Sequence, residues 1–179
     1  VINLPSWDFS RDGKAWQQVA VPHDWAISGP FDKKWDLQMV AIEQNGEKEK
    51  TEKSGRSGAL PWIGDGMYQM KWTAPKGYKR AVLVFDGAMS QPVVCVNGKE
   101  AGKWAYGYNA FRIDITPFIQ FGKSNLIEVH LNNVEESSRW YPGGGLYRPV
   151  SVELYGNENF STWDTFVRTL KADKPEAEV

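Results

Sequence analysis

The sequence predicts an all-β sandwich. Apolar and polar residues alternate with a period of two along most of the chain, and the alternating segments are short and separated by turn residues. Asn97-Gly98 stands between two extended runs and is typical of a type I′ hairpin turn, in which both central residues take positive φ. Short strands joined by tight turns indicate a sandwich or a barrel, with few helices.

Two strands are predicted between residues 66 and 88. In "GMYQMKWTAP", alternate side chains beginning with Tyr68 share one face. "KRAVLVFDGA" follows as a nearly continuous apolar run, which is typical of a central strand that is buried on both faces. We expect these two strands to be neighbours, joined by the turn "APKGY".

The segment "PVVCVNGKEAGKW" is predicted to form the hairpin around Asn97-Gly98. It contains Cys95, the one cysteine of the sequence. Because Cys95 sits in the apolar run "PVVCVNG", which holds no cationic residue, we expect a small buried side chain rather than a reactive thiol. One cysteine forms no internal disulfide and says little about the compartment.

Three further strands are predicted in "FRIDIT", "NLIEVHLNN" and "RPVSVELYG". Between the first two, Thr116 as a cap, Pro117 at the first helical position and Gly122 as a stop predict one short helical turn. In "NLIEVHLNN" the apolar residues share one face, so His130 belongs to the opposite face. We expect it to be exposed or paired across strands rather than catalytic or bound to a metal.

Two regions break the alternating pattern. Residues 43–58 are charged and polar with nothing to bury, which predicts a long mobile loop. After Gly156 the tail looks like a linker that leads into a strand, "TWDTFVRTL", for which the sequence holds no partner. We therefore divide the chain into a sandwich domain, residues 1–157, and a tail, residues 158–179, that begins a truncated second domain.

Length and charge exclude several classes of function. A domain of this size buries a substantial core without disulfides or metals. Lys and Arg number 21 and Asp and Glu 22, so the net charge of -1 gives no field that would gather nucleic acid. No stretch approaches the roughly 18 apolar residues of a membrane span. We expect no cofactor, no metal site, no nucleic-acid partner and no membrane span.

Motifs of catalysis are missing from the sequence. It contains no G-x-S-x-G elbow, no phosphate-binding glycine motif and no close set of His and carboxylate for zinc. In "VPHDWAISGPF", His23 and Asp24 are adjacent, but neighbouring residues on an extended chain point to opposite faces. A structural role is favoured, in which His23 bonds to the backbone and Asp24 closes a turn.

The segment "RWYPGGGLYRPV" combines aromatic rings, a proline and three glycines just before a strand. The glycines permit a tight turn. The rings either plug the end of the sandwich or face a ligand. Arg139 and Arg148 are harder to assign to packing, because a guanidinium near aromatic rings stacks on them or clamps a hydroxyl or carboxylate.

With these pieces in order, the chain resembles the N-terminal domain of glycoside hydrolase family 2, the family of β-galactosidases, β-glucuronidases and β-mannosidases. The matching stretches are "VPHDWAI", "GALPWIGDGMYQMKW", "FDGAMSQPVVCVNGKEAGKWAYGYNAFRIDITPFIQFGKSNLIEVHLNN" and "SRWYPGGGLYRPVSVEL". They lie between residues 21 and 154. Each motif is modest alone, and four in the right order make the resemblance specific.

The resemblance implies a jelly-roll, galactose-binding-like β-sandwich. In the family it is followed by an immunoglobulin-like domain, which the tail would begin, and a (β/α)8 barrel with both catalytic glutamates. The implied reaction is retaining hydrolysis of a terminal β-linked sugar, most often galactose. One Glu protonates the leaving oxygen, the other attacks the anomeric carbon, and water then releases the sugar. Neither Glu lies in this chain, so we expect no turnover by these 179 residues alone.

The family likeness also implies that loops of this sandwich form a wall of the sugar pocket. The loop before "GLYR" often brings an acidic residue to the sugar hydroxyls, but here that position falls near Arg139. We expect Arg139 to donate to ring hydroxyls or to bind an acidic sugar, and Trp140 or Tyr141 to stack on a sugar face. The candidate substrate-binding residues are Arg139, Trp140, Tyr141, Glu136 and, after "PHDW", Asp32.

Two other functions stay open. An independent carbohydrate-binding module would expose a platform of rings on the isolated domain. A structural docking domain would pack its glycine-rich end on the barrel or on another subunit. The expected partners are a β-galactoside-like carbohydrate and the downstream immunoglobulin-like and barrel domains, and a periplasmic or extracellular location is favoured over a cytoplasmic one.

Overall fold

Strands dominate the architecture. The computed structural model describes residues 1–32, 37–42, 49–54, 62, 64–133, 143–160, 165–173 and 176–178 of the chain. The strands are β1 (Ile2–Asn3), β2 (Ser6–Ser10), β3 (Gln17–Ala20), β4 (Leu37–Ile42), β5 (Glu49–Ser54), β6 (Gly64–Thr73), β7 (Arg80–Phe85), β8 (Val93–Val96), β9 (Lys99–Lys103), β10 (Phe111–Asp114), β11 (Ser124–Asn133), β12 (Val150–Tyr155), β13 (Lys171–Asp173) and β14 (Glu176–Glu178). A short helix α1 (Trp25–Ser28) and a 3-10 turn (Thr116–Phe118) complete the described elements.

Two antiparallel sheets form the sandwich. One has the strand order β1-β12-β7-β10, and the other has the order β3-β2-β6-β11-β8-β9. Alternate side chains of both sheets meet in one buried core, as in Tyr68 and Val129 from the larger sheet and Leu83 and Val152 from the smaller one. The predicted all-β sandwich is confirmed.

The strands β6 and β7 are consecutive in sequence but lie in different sheets. β6 pairs with β2 and β11, whereas β7 pairs with β10 and β12. The prediction that they are neighbours is therefore wrong. The segment between them, residues 74–79, crosses from one sheet to the other. As the apolar run predicts, five of the six residues of β7 are buried.

The hairpin of β8 and β9 turns at the predicted dipeptide. Asn97 has φ of 52° and Gly98 has φ of 76°, which confirms the prediction. Cys95 is only partly buried because it lies on the face of β8 opposite the core, so the prediction of a core side chain is wrong. Burial, together with Glu128 and Glu100, raises the pKa of the Cys95 thiol, which disfavours the reactive thiolate.

The buried side chain of Asn125 ties the end of the larger sheet to the loop that follows the 3-10 turn. Its amide nitrogen donates to the carbonyl oxygens of Gln120 at 3.1 Å and Lys123 at 2.9 Å. Its oxygen accepts from the backbone of Gln120 at 2.8 Å and from the side chain of Asn97 at 2.9 Å. The predicted helical turn is present, although Ile115 rather than Thr116 takes the position before it.

His130 is exposed on β11, as predicted. Residues 49–54, which were predicted within a mobile loop, instead form β5 and pair with β4. The charged sequence of β5 contains no alternating apolar pattern from which a strand could be predicted. The strand forms through backbone hydrogen bonds to β4, a separate segment. The rest of that predicted loop, 43–48 and 55–58, lies outside the described residues.

The tail also differs from its prediction. Residues 165–170 are not a strand, and two shorter strands, β13 and β14, pair with each other. Phe166 and Val167 are exposed, so this part of the tail lacks the burial that would support a strand of its own. Within the residues that the structure describes, no helix is long and apolar enough to cross a membrane.

The amide cluster of Asn125 predicts a large loss of stability in Asn125→Ala. Removal of this buried side chain abolishes its four hydrogen bonds, so we expect the free energy of unfolding to fall by about 3 kcal/mol in chemical denaturation. Asn132→Ala, on the same strand but exposed, is the matched control and should stay within about 0.5 kcal/mol of the native chain. Equal losses in the two variants would contradict this account of Asn125.

Candidate functional site

The carboxylate of Asp24 joins the "PHDW" segment to the glycine turn. Its Oδ1 atom accepts from the backbone nitrogen of Ala26 at 2.8 Å and thereby caps α1. The same Oδ1 accepts from the backbone nitrogen of Gly144 at 2.9 Å. The prediction that Asp24 closes a turn is confirmed, and the turn is fixed to a segment more than a hundred residues away.

Backbone hydrogen bonds extend this connection. The nitrogen of His23 donates to the oxygen of Leu146 at 2.8 Å, and the nitrogen of Trp25 donates to the oxygen of Gly144 at 2.9 Å. Residues 23–25 and 144–146 therefore form one unit at the end of the sandwich. The two motifs, which lie more than a hundred residues apart in the sequence, meet here.

The indole of Trp25 explains why this turn is built from glycine. Trp25 is fully buried. A Cβ atom on Gly144 would lie 2.2 Å from Cε2 and Nε1 of the indole, and one on Gly66 of β6 would lie 2.2 Å from Cζ3. Both distances are far below contact, so a side chain at either position would displace the ring. The ring thus fills the space left by residues without side chains.

The imidazole of His23 packs beneath this turn. Its Nδ1 lies 2.7 Å from the hydroxyl oxygen of Tyr68, so the predicted bond to backbone is wrong for the side chain. Burial raises the pKa of the Tyr68 hydroxyl, an effect that the backbone of Leu146 opposes. Burial lowers the pKa of His23, an effect that Asp24 opposes and Arg11 reinforces.

Gly145 requires glycine for a different reason. Its φ of 113° is in the region that side chains disfavour, and a Cβ there would lie 2.4 Å from the Tyr68 hydroxyl oxygen. Gly145 also pairs with Met89 through hydrogen bonds of 2.9 Å in both directions. The glycine turn is thereby tied to the loop that follows β7.

Tyr147 and Arg148 hold the loop between β9 and β10. The Tyr147 hydroxyl donates to the oxygen of Gly107 at 2.8 Å. Arg148 donates from Nη1 to the oxygens of Asp86 at 3.3 Å and Tyr108 at 3.4 Å, and its guanidinium lies 5.2 Å from the Tyr147 ring centre. The suspicion of a ligand clamp at Arg148 therefore gives way to a structural role.

The predicted substrate residues are only partly described. Glu136, Arg139, Trp140 and Tyr141 lie outside the described residues, and Asp32 is exposed shortly after α1. The side-chain nitrogen of Asn133 donates to the oxygen of Gly143 at 3.1 Å. The segment that carries Arg139 therefore starts and ends at the same place, beside Asp24.

Arg11 was not singled out from the sequence. Its guanidinium donates to the oxygen of Gly29, at the end of α1, and lies 6.0 Å from the ring centre of Trp62. Arg11 thus holds the loop that leads to Asp32. Its position directly after an alternating strand carried no signal of this role, because the partner carbonyl comes from a distant loop.

The contacts at this end of the sandwich fix the positions of the described loops. Asp24, the carboxylate at its centre, is engaged by backbone nitrogens. Among the described residues, no three His, Cys, Asp or Glu side chains converge to hold a metal ion. Rigid loops held by buried contacts suit a surface that positions a ligand.

The chain is similar in sequence to proteins named as glycosidases. It is 32% identical over 165 residues to "Beta-galactosidase BoGH2A" of Bacteroides ovatus, an alignment that covers 90% of this chain and 17% of that protein. Over 82 residues it is 36% identical to a "Beta-glucuronidase" of Bacteroides fragilis, covering 41% of this chain and 12% of that protein. The chain therefore spans less than a fifth of the length of these relatives. No family model matches it.

Solved structures agree with the sequence relatives. A glycosyl hydrolase family 2 member from Bacteroides cellulosilyticus superposes with a TM-score of 0.74 at 27% identity, covering 99% of this chain and 24% of that one. Bacteroides uniformis beta-glucuronidase gives a TM-score of 0.63 at 25% identity, covering 85% of this chain and 17% of that one. The sandwich is thus a part of a larger architecture in these proteins.

The contact between Trp25 and the glycine turn predicts that Gly144→Ala is strongly destabilising. The new methyl group overlaps the indole, so we expect the free energy of unfolding to fall by about 3 kcal/mol. Gly156→Ala is the control, since a Cβ there meets nothing within 4 Å, and its stability should change by less than about 0.5 kcal/mol. Equal thermal midpoints of the two variants would refute the packing argument.

The lowered pKa of His23 predicts an acid-sensitive fold. As the pH falls below the ordinary histidine pKa of about 6.5, the unfolded chain takes up a proton before the folded one, so the free energy of unfolding decreases. Above that pH both states are neutral and His23 contributes no pH dependence. His23→Gln should flatten the decrease between about pH 6.5 and 5, measured by denaturation at each pH.

The second histidine of the chain provides the control for this experiment. His130→Gln changes an exposed side chain and should leave the pH dependence as it is in the native chain. An undiminished slope in His23→Gln would show that His23 is not the group responsible.

Proposed function

We propose, from the homology of this chain to glycoside hydrolase family 2, that it is a non-catalytic domain of a retaining β-glycosidase and supplies a wall of the sugar pocket. The proposed substrate is a terminal β-galactoside, and a β-glucuronide is the alternative that the names of the relatives support. The acid and the nucleophile are proposed to be two glutamates of a barrel domain outside this sequence. The tail is proposed to lead into an immunoglobulin-like domain.

One observation carries the wall proposal: two loops with predicted sugar contacts are held at one point. Asp24 bonds to Gly144, and Asn133 bonds to Gly143, so the segment with Arg139 shares its base with the loop that leads to Asp32. A loop whose two ends are held together has less conformational freedom to lose when it binds a ligand, which favours affinity.

Arg139 is the proposed residue for choosing between the two sugars. A guanidinium binds a carboxylate through two parallel hydrogen bonds and binds a neutral hydroxyl more weakly. If the sugar is a glucuronide, removal of Arg139 should therefore cost much more than if it is a galactoside. The roles of Glu136, Trp140, Tyr141 and Asp32 are proposed on position and residue type alone.

The test compares Arg139→Ala with the native full-length protein on nitrophenyl β-galactoside and nitrophenyl β-glucuronide. We expect kcat/KM for the better substrate to fall by about tenfold or more, the effect of one lost charged hydrogen bond. Arg168→Ala, at an exposed position of the tail, is the matched control and should leave kcat/KM unchanged. The 179-residue chain alone should hydrolyse neither substrate.

Two results would overturn the proposal. Unchanged kcat/KM in Arg139→Ala would remove the wall role, and hydrolysis by the isolated chain would place catalytic groups within it. A selective loss on the glucuronide would favour that substrate over the galactoside.

A further inference from the structure

Three aromatic side chains lie exposed in the connection between β9 and β10. The exposed fractions are 41% for Trp104, 57% for Tyr106 and 42% for Tyr108. We call these three residues the aromatic platform. Beside them runs an open groove of about 490 Å³, lined by Gln91, Val93, Lys103, Trp104, Ala105 and Tyr106.

The Trp104 ring is supported by a stack that reaches into the core. It lies on Phe111 with a centroid distance of 5.6 Å and an interplanar angle of 7°. Phe111 in turn lies on Phe85 with a centroid distance of 4.6 Å and an angle of 9°. Phe111 therefore covers one face of the indole, and the stack fixes the orientation of the indole ring.

The backbone of the aromatic platform is fixed at three points. The nitrogen of Trp104 donates to the oxygen of Pro92 at 3.0 Å. The oxygen of Gly107 is held by Tyr147, and the oxygen of Tyr108 is held by Arg148. A binding surface that is ordered beforehand avoids much of the entropy cost of association. Rigid, exposed rings are characteristic of recognition surfaces rather than of chance exposure.

The groove combines apolar and polar groups in the way that a pyranose ring requires. A flat aromatic face accepts the C–H face of a sugar, while Lys103 offers three donors and Gln91 offers donors and an acceptor for the hydroxyls at the ring edge. None of the residues that the structure describes as lining the groove is a carboxylate, so both neutral and acidic sugars are compatible with it.

We propose that the aromatic platform and its groove bind a pyranose unit of a β-linked oligosaccharide. The choice of carbohydrate as the ligand rests on the proposed function, because the substrates of an enzyme that hydrolyses terminal β-linked sugars are such oligosaccharides. Trp104 supplies the stacking face, Tyr106 borders it, and Lys103 and Gln91 bind hydroxyl groups. The surface acts by holding carbohydrate and performs no bond cleavage.

The experiment measures binding to the 179-residue chain by titration calorimetry. The probes are β-1,4-galactotetraose and a hyaluronan tetrasaccharide, which contains β-linked glucuronate. We expect the native chain to bind at least one of them, Trp104→Ala to weaken the affinity about tenfold and Tyr106→Ala about threefold, as expected for lost ring contacts. Thermal unfolding of each variant identifies any loss caused by misfolding, and Tyr106→Ala carries the test if Trp104→Ala fails to fold.

Tyr78→Ala is the matched control. Tyr78 is a similarly exposed tyrosine, with an exposed fraction of 39%. It lies before the first residue of β7, whereas Phe85, which supports the aromatic platform, is the last residue of that strand. The same substitution at the opposite end of β7 should leave the affinity unchanged.

Three outcomes would overturn the inference. In the first, the native chain binds neither tetrasaccharide. In the second, binding survives both Trp104→Ala and Tyr106→Ala. In the third, the chain binds no sugar but forms a concentration-dependent dimer, which Tyr106→Ala abolishes. The last result would assign the surface to a second copy of the chain. Each of these leaves the pocket wall to be judged separately by the kinetics of Arg139→Ala.

Discussion

The described end of the sandwich depends on the packing of one indole against residues that lack side chains. Trp25 is fully buried between Gly66 of the larger sheet and Gly144 of the turn, and neither glycine leaves room for a Cβ atom. Burial of so large a ring contributes several times the free energy of an ordinary hydrogen bond. This contact therefore sets how closely the "PHDW" segment and the glycine turn approach each other, and the hydrogen bonds of Asp24 then fix their register.

From that contact a chain of supports extends across the loops. The glycine turn leads into Leu146, which is buried in the core, and then into Tyr147 and Arg148, whose side chains hold the β9–β10 connection. Each residue of the motif "GLYR" therefore has its own structural role. Gly145 takes a positive φ, Leu146 packs in the core, and Tyr147 and Arg148 anchor the loop. The base of the segment that is proposed as a pocket wall and the anchors of the aromatic platform consequently lie next to each other, at the residues that lead into β12.

The sequence predicted those features that depend on neighbouring residues. Alternation identified β6, β11 and β12, and Asn97-Gly98 identified the β8–β9 turn, because a turn and a strand face are encoded locally. It failed where partners are distant: β6 and β7 lie in opposite sheets, and the charged β5 is a strand through pairing with β4. Sheet membership depends on which strands complete the core, and short-range patterns do not contain that information.

The same distinction applies to the site. The sequence predicts that the glycines turn the chain, and this holds for Gly145, which has a positive φ. Gly144 is instead required by the indole of Trp25, which comes more than a hundred residues earlier in the sequence. Likewise the residue type of Arg148 predicts a ligand contact, because a guanidinium near aromatic rings can bind a hydroxyl or a carboxylate. In the structure the guanidinium instead donates to two carbonyl oxygens of the chain. A residue type states what a side chain is able to do, and only its neighbours decide which of those abilities is used. Recognition is consequently argued best from groups that the fold has ordered and left facing solvent, and among the described residues Trp104 fits that description through its stack on Phe111.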